Sequence, residues 1–224
     1  MVEGVWAFIT AGHCLNKAFS YIDASCDAKW HVHDRLGMDA KRRGPRPFVM
    51  DRALCVAIED DSDGADFGAV FLRELECDLM KANGAVPFDS RYWGDEMSAD
   101  VDAVCLFGVP AETVRPQGSY EYASINQGIR LTPLANAEVP SKLKKSMSRL
   151  FARVPGVAIA MPDSIVGMSG GPWIGIKEQG DVYAYWLIGI QSTWMKARRL
   201  AIGVPLCVFS GLLADRLKSY RSKG

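Results

Sequence analysis

The chain has 224 residues, with 26 Lys plus Arg against 26 Asp plus Glu and a formal net charge of zero. It is 49% hydrophobic and 23% charged, an ordinary globular balance that excludes a disordered tail or an acidic scaffold. Balanced charge also argues against a dedicated nucleic-acid binder, and the length suits one large domain or two small ones.

Apolar runs of strand length recur along the chain with turn residues between them. In order they are residues 5–10, 53–58, 67–72, 101–107, 129–134, 157–161, 172–176 and 183–191. Most are rich in Val, Ile, Phe, Tyr or Trp and bounded by Gly, Pro, Asp or Asn. Regular short strands of this kind predict an all-β barrel or sandwich. Residues 35–47 are basic and carry Gly and Pro, so they read as an exposed loop. Residues 141–154 place Leu143, Met147, Leu150 and Phe151 among basic residues, the pattern of a short amphipathic helix. Residues 209–220 place Leu212, Leu213, Leu217 and Tyr220 at helical spacing. A C-terminal helix is expected there, with Ser210 as its N-cap.

No apolar stretch reaches the roughly 18 residues that a membrane-spanning helix needs. The start, Met-Val-Glu, has no basic segment before its apolar residues, unlike a secretory signal. A cytoplasmic protein is expected, or a secreted or periplasmic one if a further segment precedes this sequence. The six cysteines, Cys14, Cys26, Cys55, Cys77, Cys105 and Cys207, form no CxxC pair. They are expected as reduced, mostly buried thiols. His31 and His33 would share one face of a strand and, with Cys26, suggest zinc. No fourth ligand accompanies them, and exposed loop histidines are the expected reading.

Three segments carry chemistry. In Gly167-Met168-Ser169-Gly170-Gly171-Pro172, glycines around one serine allow tight turns and bring main-chain N–H groups near the serine oxygen. In Phe8-Ile9-Thr10-Ala11-Gly12-His13-Cys14, an apolar strand runs through small residues into a histidine. In Asp66-Phe67-Gly68-Ala69-Val70-Phe71-Leu72, a carboxylate opens an apolar strand, where it needs a partner such as a histidine N–H. The order is His13, Asp66, Ser169. An α/β-hydrolase needs its histidine after the serine, and the histidines here stand only at 13, 31 and 33. The subtilisin order needs an aspartate before the histidine, and none precedes His13.

These three segments resemble the histidine, aspartate and nucleophile motifs of the trypsin/chymotrypsin-like serine peptidases, in particular the bacterial trypsin-like type. Residues 187–192 resemble the strand that flanks bound substrate, and residues 201–205 the last strand before the terminal helix. The resemblance implies two antiparallel β-barrels: residues 1–100 carrying His13 and Asp66, and residues 101–208 carrying Ser169. A helix over 209–224 would follow. It implies acyl transfer by a His13, Asp66 and Ser169 triad, with the N–H groups of Gly167 and Ser169 as the oxyanion hole. Asp163, Ser164, Ser192, Trp194 and Gly203 would meet the substrate, with Asp163 selecting Arg or Lys before the scissile bond. The partner would be a peptide or protein substrate, with no cofactor, metal, nucleic acid or membrane. Met168 stands where trypsin-type enzymes carry an aspartate, so activation by a new N-terminus is not expected. Only 12 residues precede His13, so either the first barrel lacks one or more strands or the sequence begins late. That shortfall motivates an alternative: a catalytically impaired module that binds proteins or peptides.

Overall fold

The computed structural model describes residues 1, 4–24, 30–33, 45–82, 84–94, 101–116, 122–156 and 163–221, with backbone only at 31–33, 45–47, 122–123 and 219–221. The first half contains β1 (Ala7–Thr10), α1 (Gly12–Ala24), β2 (Trp30–His33), β3 (Pro45–Phe48), β4 (Cys55–Asp60), β5 (Ala65–Phe71) and α2 (Glu74–Ala82). Strands β1, β5 and β4 form an antiparallel sheet with β5 in the middle. Every residue of β5 is buried because both its faces are covered. Ala65, Phe67, Ala69 and Phe71 join one apolar cluster, while Val70 packs with Leu15 of α1 and with Cys55. Helix α1 covers the second face through Leu15 and Ala18, three residues apart. Strands β2 and β3 form a separate hairpin.

The second half contains β6 (Ala103–Gly108), β7 (Arg115–Pro116), β8 (Tyr122–Ala123), β9 (Gln127–Pro133), β10 (Leu150–Arg153), β11 (Pro172–Gln179), β12 (Val182–Met195) and β13 (Leu200–Pro205). Six of these close into a barrel in the order β10-β13-β12-β11-β6-β9, sealed by the pairing of β9 with β10. Inward residues alternate along the strands, as a filled barrel requires. Val104, Leu106, Ile129, Leu131, Trp173 and Ile188 belong to its core, with Trp173 and Ile188 fully shielded. Helix α3 (Leu206–Arg221) then returns to the first half. Its Phe209, Leu213 and Leu217 lie on one face and share a cluster with Phe67 and Phe71. The Phe67 and Phe209 rings stack at 5.5 Å between centroids.

The architecture departs from two complete barrels. One barrel is closed, and a three-stranded sheet stands in place of the first among the described residues. That sheet is completed by helices, α1 on one face and α3 on the other, rather than by further strands. Residues 141–154 do not form a helix. A short 3₁₀ turn covers Ser141–Leu143, and β10 follows. Leu150 points into the barrel core, while Phe151 packs outside it with Val139 and Ile202. A strand covered on both faces has adjacent apolar residues, and here they mimic helical spacing.

Helices α1 and α2 were not foreseen. Helix α3 begins three residues before the expected start, so Ser210 lies inside it and is not its cap. Residues 45–47 of the expected loop belong to β3 and pair with β2, and residues 35–44 lie outside the described residues. The expected strand at 157–161 also lies outside them. Cys14, Cys55, Cys77, Cys105 and Cys207 are free thiols, but only Cys55 is buried. Cys26 and the side chains of His31 and His33 fall outside the description. No helix among the described residues is long and apolar enough to cross a membrane.

Leu213 is fully buried at the junction of α3 with β5. Leu213→Ala should destabilise the protein by about 2–5 kcal/mol, since the fixed sheet cannot collapse into the gap. Urea unfolding followed by circular dichroism measures this, and a loss below about 1 kcal/mol would contradict the packing described.

Candidate active site

Asp66 is the second residue of β5, and its burial is set by the strands and helices on either side. A carboxylate there needs hydrogen bonds. It receives three. The His13 backbone N–H donates to Oδ1 at 3.0 Å, and the His13 ring contacts Oδ2 through Nδ1 at 2.8 Å. The Ser192 hydroxyl donates to Oδ2 at 2.7 Å. His13 is the second residue of α1, so Asp66 also satisfies a first-turn N–H that the helix itself leaves free. Strand, helix and barrel meet on one carboxylate.

The pair has a clear electrostatic sense. The hydrogen bond to Asp66 raises the His13 pKa above its ordinary value, helped by Cys14 and opposed by burial. Burial pushes the Asp66 pKa up, but hydrogen bonds from His13 and Ser192 outweigh it, and the net shift is downward. Both partners therefore favour the charged pair. The His13 side chain retains 37% of its exposure, against 10% for Asp66. The ring is thus open to solvent on the side away from the carboxylate.

The Ser169 loop lies against the strand end that leads to His13. Gly170 has a positive φ of 81° and sits so close to β1 that a Cβ there would be 2.6 Å from Thr10 Cα. Only glycine allows both. The Gly170 N–H donates to the Gln191 carbonyl at 2.7 Å, and the Gln191 N–H donates to the Gly171 carbonyl at 2.8 Å. The loop is thereby clipped to β12 one residue before Ser192. Met168 and Gly171 spend their N–H groups on Ile165 and Met168 carbonyls. Those of Gly167 and Ser169 have no partner among the described residues. Gly167 also has a positive φ, 92°. Ser169 itself is partly exposed. No hydrogen bond joins its hydroxyl to His13 among the described residues.

The five residues expected to meet substrate lie in different settings. Ser192 is 3% exposed and belongs to the Asp66 group. Asp163 is exposed, and its N–H donates to Glu112 Oε1 at 2.9 Å. The Ser164 hydroxyl accepts from the Val166 N–H at 3.2 Å, a local turn bond. The Trp194 ring packs against the barrel core, and its Nε1 has no partner. Gly203 is buried, with the Trp173 ring where a side chain would go. Met168 is 1% exposed and packs against Gly108. The loop is therefore anchored by an apolar plug where the resemblance would have placed a carboxylate. Among the described residues, no group of His, Cys, Asp and Glu could hold a metal ion. Sequence reasoning missed Gln191 and the link from Ser192 to Asp66. The signal available for the first was a polar residue ending the apolar run Leu187-Ile188-Gly189-Ile190.

No family model and no curated protein match the chain. Among solved structures it is similar to the NS6 protease of murine norovirus 1, at TM-score 0.38 and 14% identity over 89% of this chain and 80% of that one. It is also similar to a thermostable serine protease, AL20, from an extremophilic microorganism. That likeness has TM-score 0.39 and 15% identity over 95% of this chain and 84% of that one. These likenesses are distant.

The pKa directions fix a pH dependence of stability. Asp66, whose pKa is depressed, contributes fully above its unfolded value near 3.8, and that contribution is lost as pH falls through the lower folded value. His13, whose pKa is raised, contributes fully below its unfolded value near 6.5 and loses this as pH climbs. Asp66→Asn should therefore lower the melting temperature most between about pH 4 and 6.5. The gap should close at lower pH and narrow at higher pH. Thermal melts across pH measure it, and a gap independent of pH would contradict the ion pair.

Proposed function

We propose that the protein is a serine endopeptidase working through an acyl-enzyme intermediate. The observation that carries this reading is the buried Asp66 carboxylate bonded to His13 Nδ1, with the Ser169 loop clipped beside it through Gln191. In the neutral ring, a form the raised His13 pKa shifts toward higher pH, Asp66 holds the proton on Nδ1 and leaves Nε2 as the base. Ser169 Oγ attacks the scissile carbonyl carbon while its proton passes to His13 Nε2. The new C–O bond leaves negative charge on the carbonyl oxygen, which takes hydrogen bonds from the N–H groups of Gly167 and Ser169. His13 then gives its proton to the leaving amine as the C–N bond breaks. Water repeats the sequence on the acyl ester, losing a proton to His13, which returns one to Ser169 Oγ. Oriented donors of the oxyanion type contribute about 3–4 kcal/mol each where measured.

A protein- or peptide-binding module without turnover is the second reading. It is favoured by the missing hydrogen bond between Ser169 and His13. Geometry without ligand is commonly looser than in the complex, so the peptidase reading stands ahead. Labelling with a fluorophosphonate probe separates the two. The wild-type protein should acquire one adduct, and Ser169→Ala should acquire none. Equal labelling of the two proteins, or no labelling of either, would refute the peptidase reading.

Specificity for Arg or Lys would come from Asp163. Its carboxylate is exposed, and an exposed ion pair contributes only about 0–1 kcal/mol. The preference is therefore modest. Asp163→Asn should change the ratio of kcat/KM for Arg against Leu peptides by less than about tenfold. A collapse of the ratio by several orders of magnitude would mean that Asp163 closes into a buried pocket on binding.

A further inference from the structure

We propose that Gln191 is a positioning residue of this site: its side-chain amide fixes the bulge that aims Ser192 at Asp66, while its backbone holds the Ser169 loop. The inference extends the peptidase reading by naming what holds its parts in register. Gln191 is 1% exposed and directly follows the apolar run Leu187-Ile188-Gly189-Ile190 of β12. A buried amide that loses its partners is costly, so its presence there calls for a specific set of bonds. Both ends of the amide are bonded. Trp173 Nε1 donates to Oε1 at 3.1 Å, and Nε2 donates to the Thr193 carbonyl at 2.8 Å.

The position explains the need. The register of β12 against β13 slips between Gln191, which faces Gly203, and Thr193, which faces Ile202. Ser192 is the extra residue. A bulge interrupts the ladder and turns a side chain to a new direction. Here the Gln191 amide takes the Thr193 carbonyl, and the freed Ser192 hydroxyl reaches Asp66 at 2.7 Å. Gly203 has a part in this. A Cβ there would lie 3.1 Å from Trp173, so its absence lets the indole reach Gln191. The Gln191 backbone exchanges two hydrogen bonds with Gly170 and Gly171. A methionine would fill the same space but hold neither the bulge nor the indole.

The test compares wild type with Gln191→Met and with Trp173→Phe, which removes the indole donor from the opposite side. Two quantities are read: the proton resonance of His13 Nδ1–H held by Asp66, and the rate of fluorophosphonate acylation. In Gln191→Met the resonance should move or vanish, and acylation should fall by about 10²-fold, the scale for displacement by about 1 Å. Trp173→Phe should give the same changes to a smaller degree. Both comparisons are made well below the melting temperature, where circular dichroism reports a folded barrel. If Gln191→Met does not fold, Trp173→Phe decides alone. An unchanged resonance and rate in a folded variant with a lowered melting temperature would make Gln191 merely structural and overturn the proposal. A wild type that does not acylate refutes the peptidase reading instead, and the resonance still decides the role of Gln191.

Discussion

The fold turns on one buried carboxylate. Asp66 sits in the central strand of a small sheet, where an unpaired charge would cost several kcal/mol. Three donors from two elements prevent that: the main chain and ring of His13 at the start of α1, and the hydroxyl of Ser192 in the barrel. The need to satisfy this group ties the two halves of the molecule together with a fixed geometry. Apolar packing of α3 against β5 supplies the adhesion, and Asp66 supplies the register. The first half alone would leave the carboxylate without its Ser192 donor.

The same constraint acts on the three-stranded sheet. Three strands do not close a barrel, yet β5 is buried throughout because helices cover both its faces. The residues around Asp66 are held from behind by α3 and from the side by a closed barrel. The Ser169 loop is tied to that barrel through Gln191 and the apolar Met168. No ion pair is needed to brace it.

Much of the site was legible in the sequence, because short motifs around His13, Asp66 and Ser169 encode local backbone demands. Small residues before the histidine and glycines around the serine record close approach, which the contact of Gly170 with Thr10 makes concrete. Seven of the eight strand-length runs carry strands, since alternation and turn residues are local signals, and the run at 157–161 lies outside the described residues. What stayed hidden was non-local. Leu150 and Phe151 look helical because both faces of β10 are covered by elements distant in the chain. Helix α1 hid behind the histidine motif, whose residues drew attention to chemistry rather than to Leu15 and Ala18. The role of Ser192 could not be read because a one-residue bulge decides which way it points.

A crystal structure of the protein after reaction with a small fluorophosphonate would show the proposed chemistry at atomic detail. Phosphorus should be bonded to Ser169 Oγ. The phosphonyl oxygen should lie about 2.7–3.1 Å from the N–H groups of Gly167 and Ser169, with His13 still held by Asp66. A phosphonate on another residue, or one on Ser169 that turns away from His13 and those N–H groups, would contradict it.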